Sequence, residues 1–347
     1  MGDRTAGPDP AIIVGAVDRG RGGGSELQVL VTGAAGFIGS HLCETLLADG
    51  HRVVGVDAFV DYYARERKER NLAGLRGRAG FTFHEADLRT AALEPLLDGV
   101  DVVVNEAGMP GLARSWTDTE AYLSCNVLAL QRLCDAAVAV GLPRLVHVST
   151  SSVYGRDAVG DETTPTTPVS PYGVTKLAAE HLLMAHHHEF GLPALVLRYF
   201  SIYGPRQRPE MAYSLFTEKL LDGDPITVYG DGRQSRSNTY VSDCVAGTIA
   251  ALERGDPGEV YNIGGGQELA LIDAIGIIAG ELGVDPRLSY EPPRRGDQRR
   301  TAADVSKARR ALGYEPLVRP EEGLRRQVAW HVGERSAAVG AAGSRPA

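Results

Sequence analysis

"VLVTGAAGFIGSHL" (residues 29–42) decides how the rest of the chain is read. A short apolar run ends in Gly33, Gly36 and Gly39, and a helical pattern of apolar residues begins within it at Phe37. Glycines at this spacing let the backbone turn tightly, approach a pyrophosphate and pack the helix against the strand. The helix N-terminus then faces the negative charge. The triplet alone reads equally well as a tight turn, so context separates the two readings. Strand, turn and helix follow in order, and Asp57 closes the next strand 18 residues after Gly39. A carboxylate there accepts hydrogen bonds from an adenosine ribose and repels a 2′-phosphate. The expected cofactor is therefore NAD, cradled by Gly33, Gly36, Phe37, Ile38 and Gly39. Asp87 and Leu88, where the third strand ends, are placed to meet the adenine, and Asn126 lies on a helix near the expected cofactor edge. The basic run "RERKER" (65–70) reads as a solvated helix face.

Outward from this motif the same rhythm continues. "LQVLVTG" (27–33), "HRVVGVD" (51–57), "FTFHEAD" (81–87), "DVVVNEAG" (101–108), "RLVHVST" (144–150) and "PALVLRYF" (193–200) are apolar strands bounded by Gly, Asp or Asn. Helical patterns separate them. Strands apolar on both faces and alternating with helices predict an α/β fold, a Rossmann-type doubly wound parallel sheet. After about residue 200 the rhythm breaks into short strands, helices and Pro/Gly turns. The expected organisation is a cofactor domain over 26–200 and a smaller mixed α/β substrate lobe over 201–332, with segments shared between them. Residues 1–25 and 333–347 read as flexible tails.

Bulk properties exclude some functions. A net charge of −8 argues against a nucleic-acid or anionic-membrane partner. The four cysteines, Cys43, Cys125, Cys134 and Cys244, form no C-x-x-C pair and read as structural thiols of a reducing cytoplasm. No metal is expected: the histidines of "HHHEF" (186–190) are adjacent on a helix and point in different directions, as at a solvated helix end. No apolar run reaches the ~18 residues of a membrane span, and the start lacks signal-peptide regions, so the expected location is cytoplasmic.

"SPYGVTKLAAEHLL" (170–183) opens a long helix with Tyr172 and Lys176 on one face. It follows "HVSTSSVYG" (147–155), a row of hydroxyls at the end of the fifth strand. An ammonium beside a phenol favours the phenolate, which predicts a tyrosine able to act as a base near neutral pH.

From Leu27 to about Pro316 the chain resembles the extended short-chain dehydrogenase/reductases of the nucleotide-sugar epimerase and dehydratase family. The resemblance is carried by "TGAAGFIGSHL", Asp57, "ADL" (86–88), "CNVLALQRL", "STSSVYG", "SPYGVTK", "RYFSIYGPRQRP" and "RRGDQRRTAADVSKARRALGY". It implies a catalytic set of Thr150, Tyr172 and Lys176, with Tyr172 and Lys176 also touching the cofactor. Tyr takes the proton of a sugar hydroxyl while NAD takes the carbon-bound hydride, giving a transient 4-keto sugar. It also implies pyrophosphate contacts from Arg236 and Arg294, whose forks suit phosphate oxygens, and passage of the nucleobase beside Tyr229. Surface ion pairs are the alternative role for each arginine. Relatives of this group commonly dimerise through a helix bundle, so a homodimer is expected through helices at about 118–140 and 171–190, which carry apolar residues beyond one stripe.

Three positions depart from the family pattern. "NEAG" (105–108) replaces the usual "HLAA", placing Glu106 close to the cofactor; Ser201 stands where Asn is frequent; and Ser237-Asn238 replaces Asp-Phe. The hydroxyl row narrows the outcome further. Dehydratases carry Asp-Glu after the catalytic Thr and decarboxylases typically read Thr-Ser-Glu, whereas this chain has Ser151 and Ser152. Small hydroxyls, joined by Ser201, suit a sugar bearing a C6 carboxylate, and Arg208 in "RYFSIYGPRQRPEMAYSLF" could serve that carboxylate or the phosphates. The resemblance is greatest to UDP-glucuronate 4-epimerases. UDP-glucuronate decarboxylase, UDP-glucose 4-epimerase and an NAD-binding regulatory protein without catalysis stay open as alternatives.

Overall fold

The computed structural model describes residues 26–294 and 297–343. Strand β1 (Gln28–Thr32) leads through the glycine turn into helix α1 (Phe37–Ala48), then strand β2 (Arg52–Asp57), helix α2 (Arg65–Ala73) and strand β3 (Phe81–Glu85). Strand β4 (Val102–Asn105) precedes the short helices α3 (Leu112–Ser115) and α4 (Thr119–Leu123), a π-helical turn over Ser124–Leu128 and helix α5 (Ala129–Val140). Strand β5 (Leu145–Thr150) runs through a 3-10 turn (Ser151–Tyr154) into β6 (Asp157–Gly160), helix α6 (Pro171–Phe190) and strand β7 (Ala194–Tyr199).

The second half contributes β8 (Ile202–Tyr203), α7 (Ala212–Asp222), β9 (Ile226–Tyr229), β10 (Ser235–Ser237), β11 (Thr239–Tyr240), α8 (Val241–Arg254) and β12 (Val260–Ile263). It ends with β13 (Glu268–Ala270), α9 (Leu271–Leu282), β14 (Leu288–Glu291), β15 (Arg300–Ala303), α10 (Ser306–Leu312) and α11 (Pro320–Gly343).

The main sheet is parallel, with strand order β12-β7-β5-β4-β1-β2-β3. Alternation along the strands feeds two cores. Val29, Val31, Val102, Val104, Leu195 and Leu197 face one side, while Leu30, Val103, Leu145 and Val196 face the other. Burying each such side chain contributes about 1.5–3 kcal/mol, and neither face is left for water. The chain steps outward from β1 to β3 and then returns to β4 on the other side of β1. That reversal opens a crevice at the carboxyl ends of β1 and β4, where ligands bind in open α/β sheets.

Helix α6 starts where the sequence stops it from starting earlier. Ser170 Oγ accepts the Gly173 N–H at 3.1 Å and Pro171 occupies the first helical position. It ends at Gly191, whose φ of 70° suits a residue without Cβ. The two lobes interleave: β12 completes the main sheet, while β6 joins the small sheet β13-β10-β15-β6.

Several expectations change. Helix α11 continues to Gly343, past the boundary at 332, because the alanines of "SAAVGAAG" favour helix; residues 1–25 and 344–347 lie outside the described residues. The α2 face is not wholly solvated, since Lys68 is buried beside Asp57. His186 is buried too, 3.2 Å from Asp135. By length and composition the helical run Thr119–Val140 would suffice to cross a membrane; here its inner side packs against α6 and the sheet core.

Candidate active site

The crevice is a cavity of about 470 Å³ running from the glycine turn to the start of α6. At its nucleotide end Gly33 adopts φ +70°, and a Cβ there would sit 3.1 Å from the Ala107 nitrogen. A Cβ on Gly39 would collide with the Gly33 carbonyl oxygen. Both positions hold strand, turn and helix at a distance only glycine permits. No side chain caps the N-terminus of α1, and Gly36, Phe37, Ile38 and Gly39 line the cavity, so the first-turn N–H groups are presented to a ligand.

Asp57 is buried in the same wall. It accepts the Phe59 N–H at 2.8 Å and the Ala35 N–H at 3.2 Å, with Lys68 Nζ at 3.7 Å. Asp87, with Leu88 also in the wall, is gripped by Arg89 at 2.7 Å, and those hydrogen bonds hold its carboxyl below the usual range. This donor set, with a carboxylate fixed at the end of β2, fits a dinucleotide lacking a 2′-phosphate.

Asn126 does not reach the cavity. Its amide accepts the Met109 N–H at 2.6 Å and donates to the Met109 carbonyl and Thr175 Oγ1, both at 3.1 Å. The π-helical turn rotates the side chains, so Cys125 and Ala129 line the cavity instead. Asn126 therefore braces the loop after β4 from behind.

At the other end the structure brings Thr150, Tyr172 and Lys176 together. Thr150 caps the 3-10 turn, its Oγ1 accepting the Ser152 N–H at 3.2 Å and donating to Ser152 Oγ at 3.3 Å. Tyr172 packs edge-on against Tyr122, ring centroids 6.2 Å apart; Tyr122 is buried, whereas Trp116 is exposed. The expected lowering of the Tyr172 phenol is not found. Burial pushes it up, and the hydrogen bond with Thr150 offsets only part of that. Lys176 points elsewhere: Nζ donates to the Val148 carbonyl and lies 3.3 Å from His147 Nε2. Its own burial brings it down to about 8.

The second lobe supplies Arg208, Arg236, Met211 and Gln298 to the cavity, and Ser201 and Ser151–Ser152 line it from the sheet side. Arg208 Nη1 is buried without a hydrogen-bond partner, although Glu210 lies 3.1 Å away. Arg236 is held by the Ser235 and Gln298 carbonyls. Tyr229 and Arg294 are not in the wall; the guanidinium covers the tyrosine ring at 3.6 Å. Ser201 sits at φ 47°, a left-handed conformation that Asn tolerates better than Ser.

Residue-by-residue reading missed Gln298, which donates to the Ser151 and Gly155 carbonyls and ties the hydroxyl turn to the second lobe. Within its segment "RRGDQRR", which carries part of the family resemblance, the sequence marks Arg294 and not Gln298 as a candidate. Glu106 does line the cavity, and burial raises its carboxyl to about 7. Among the described residues, no group of three His, Cys, Asp or Glu side chains is arranged to hold a metal.

Comparison with known proteins agrees with this geometry. Residues 29–264 match the NAD dependent epimerase/dehydratase family. The chain is 42% identical over 310 residues to an uncharacterized UDP-glucose epimerase, YtcB, of Bacillus subtilis strain 168, spanning 88% of this chain and 98% of that protein. It is 38% identical over 312 residues to a dTDP-glucose 4,6-dehydratase of Streptomyces griseus, spanning 89% and 95%. The crystal structure of UDP-glucuronic acid 4-epimerase from Bacillus cereus, with UDP-glucuronic acid and NAD, superposes with a TM-score of 0.86 at 39% identity, covering 89% of this chain and 100% of that one.

Proposed function

Since the chain belongs to the NAD dependent epimerase/dehydratase family of extended short-chain dehydrogenase/reductases, we propose that it inverts C4 of UDP-glucuronate. The observation that carries this reading is the hydroxyl turn. Among the described residues, the carboxylates in the cavity wall are Asp57, Asp87 and Glu106. None stands at 151 or 152, where dehydration needs an acid and base beside the C5–C6 bond.

NAD, held by the glycine turn, Asp57 and the α1 N-terminus, supplies the acceptor for the C4 hydride and gives it back. Thr150 holds O4, and Tyr172 takes the hydroxyl proton and returns it. Lys176 keeps a positive charge at the base of the site, which favours the phenolate in the loaded enzyme. Inversion then needs the sugar to turn, not another acid or base. A 4-keto uronate is a β-keto acid and loses CO₂ readily. Ser151, Ser152 and Ser201 hold its carboxylate by hydrogen bonds away from the cleaving orientation, and Arg208 neutralises an anionic group of the substrate.

Incubating the enzyme with UDP-glucuronate, UDP-glucose and dTDP-glucose, with product mass and chromatography, tests the reading. Conversion of UDP-glucuronate at unchanged mass supports it; loss of CO₂ or water, or turnover of UDP-glucose alone, overturns it. Decarboxylation is the second reading, because a single Glu at Ser152 would match that pattern. We also propose a homodimer through α4, the π-helical turn, α5 and α6, whose outer faces expose Leu123, Leu128, Val140, Val174 and Phe190. A sedimentation mass of one 37.0 kDa chain would overturn it.

A further inference from the structure

Glu106 is the group in the cavity that the sugar chemistry leaves without a task. It follows Asn105 at the switch point, with its backbone against the Gly33 turn. It lines the same cavity as Lys176 and Tyr199, and its side chain reaches the Tyr199 hydroxyl.

Its hydrogen bonds form a chain that can run in either direction. Oε1 lies 2.8 Å from Tyr199 Oη, Oη lies 2.6 Å from Thr248 Oγ1, and Oγ1 lies 2.8 Å from the Cys244 carbonyl. Tyr199 and Thr248 carry one O–H hydrogen each. With Glu106 protonated, the carboxyl donates to Tyr199, Tyr199 to Thr248 and Thr248 to the Cys244 carbonyl, so every link is made. With Glu106 ionised, Tyr199 turns its hydrogen to the carboxylate, and Thr248 must leave either Tyr199 or the carbonyl. Both protonation states are therefore housed at a difference of one hydrogen bond.

The surroundings hold the two states close. Burial disfavours the ion, while Tyr199 and Lys176 favour it, and the carboxyl comes to about 7. The titratable groups facing it are Lys176 and Tyr172 from α6, Tyr199 from β7, Cys244 from α8 and Cys43 from α1. Of these, Lys176 is the cation at neutral pH.

We propose that Glu106 compensates the charge of the cofactor: a carboxylate while the nicotinamide is oxidised and positive, a carboxylic acid once the ring is reduced and neutral. A nearby cation favours the ion, and losing that cation favours the acid. In the forward half-reaction the C4–H bond breaks with its electron pair going to the ring, and the hydroxyl proton goes to Tyr172. Glu106 takes one further proton from solvent and releases it when the hydride returns. This rests on the proposed placement of the nicotinamide beside Tyr172 and Lys176, and not on which sugar is turned over.

Infrared difference spectroscopy of the holoenzyme, oxidised against borohydride-reduced, tests it without turnover. Reduction of the wild type at neutral pH should produce the carbonyl stretch of a protonated carboxyl, which Glu106→Gln and Glu106→Leu should lack while retaining NAD. In a redox buffer, read by the absorbance of the reduced ring, the bound-cofactor ratio should change about tenfold more per pH unit below neutrality in the wild type than in either variant, one proton's worth. No new carboxyl band in the wild type, or the same band and slope in the variants, overturns the proposal. Epimerisation of UDP-glucuronate without the band removes this proposal alone, and the band without sugar turnover removes the proposed function alone.

Discussion

Glu180 on α6 and Arg198 on β7 form a buried ion pair, Nη2 to Oε2 at 2.7 Å with Nε 3.1 and 3.2 Å from the two carboxylate oxygens. Ser149 donates to the same carboxylate, and Arg198 Nη1 donates to Tyr154 Oη at 2.8 Å. Helix α6, strand β5 and the hydroxyl turn are thus fastened at one point.

Replacing Glu180 with Ala leaves a guanidinium buried and unpaired. The expected loss is about 3–5 kcal/mol of unfolding free energy, measured by denaturant titration. The double substitution Glu180→Leu with Arg198→Met should recover most of it, since it removes both charges together.

Tyr172→Phe should lower kcat by about 10²–10⁴-fold, the usual worth of a positioned acid–base group, with NAD still bound. In the wild type a base held up by burial gains activity as pH rises. Lys176 loses its charge above about 8. The kcat profile should therefore climb through neutrality and level off near that pH, and a profile flat from pH 6 to 9 would contradict the assignment.

How far the sequence carried this reading depended on how local each signal was. β1 to β5 and β7 were legible because each is an apolar run with its own Gly, Asp or Asn boundary. β12 was not, since "VYNI" becomes a sheet edge only by pairing with β7, more than sixty residues away. The glycine turn and Asp57 line one end of the cavity, and Thr150, which only the family resemblance singled out, lines the other with Tyr172 and Lys176. Asn126 did not, because one π-helical turn changes which side chains face the cavity. The Tyr172 phenol moved opposite to expectation, since spacing shows neither the burial that raises it nor that the Lys176 ammonium turns to the Val148 carbonyl. Tyr229 and Arg294 lie in the lobe where no periodic pattern guided the reading.

Arg208→Gln should raise KM about 10- to 100-fold, as expected for loss of a hydrogen bond to a charged group worth about 1.5–3 kcal/mol. Comparing UDP-glucuronate with UDP-glucose locates the contact. An equal loss for both assigns Arg208 to the pyrophosphate, and a loss confined to UDP-glucuronate assigns it to the sugar carboxylate.

Glu106 also sets a pH dependence of stability after bound nucleotide is removed. Its carboxyl is raised from 4.5 to about 7 on folding. Its contribution is complete below pH 4.5 and fades as pH rises through 7, because the folded state must then bury an ion. Glu106→Gln should stabilise the protein at pH 8 relative to pH 4.5 by roughly 2–3 kcal/mol, read as a difference between two denaturation midpoints.

The 3-10 turn over Ser151–Tyr154 is secured by Thr150 at its start and by Gln298 on the Ser151 and Gly155 carbonyls, so its framework rests on backbone atoms, with Ser152 Oγ adding one acceptor for Thr150. Descendants of this chain are free to exchange its two serine side chains for acids while the scaffold stays intact. On the proposed function, a change of outcome from inversion to dehydration or decarboxylation would be a short mutational walk along this one turn, open to directed evolution from this sequence.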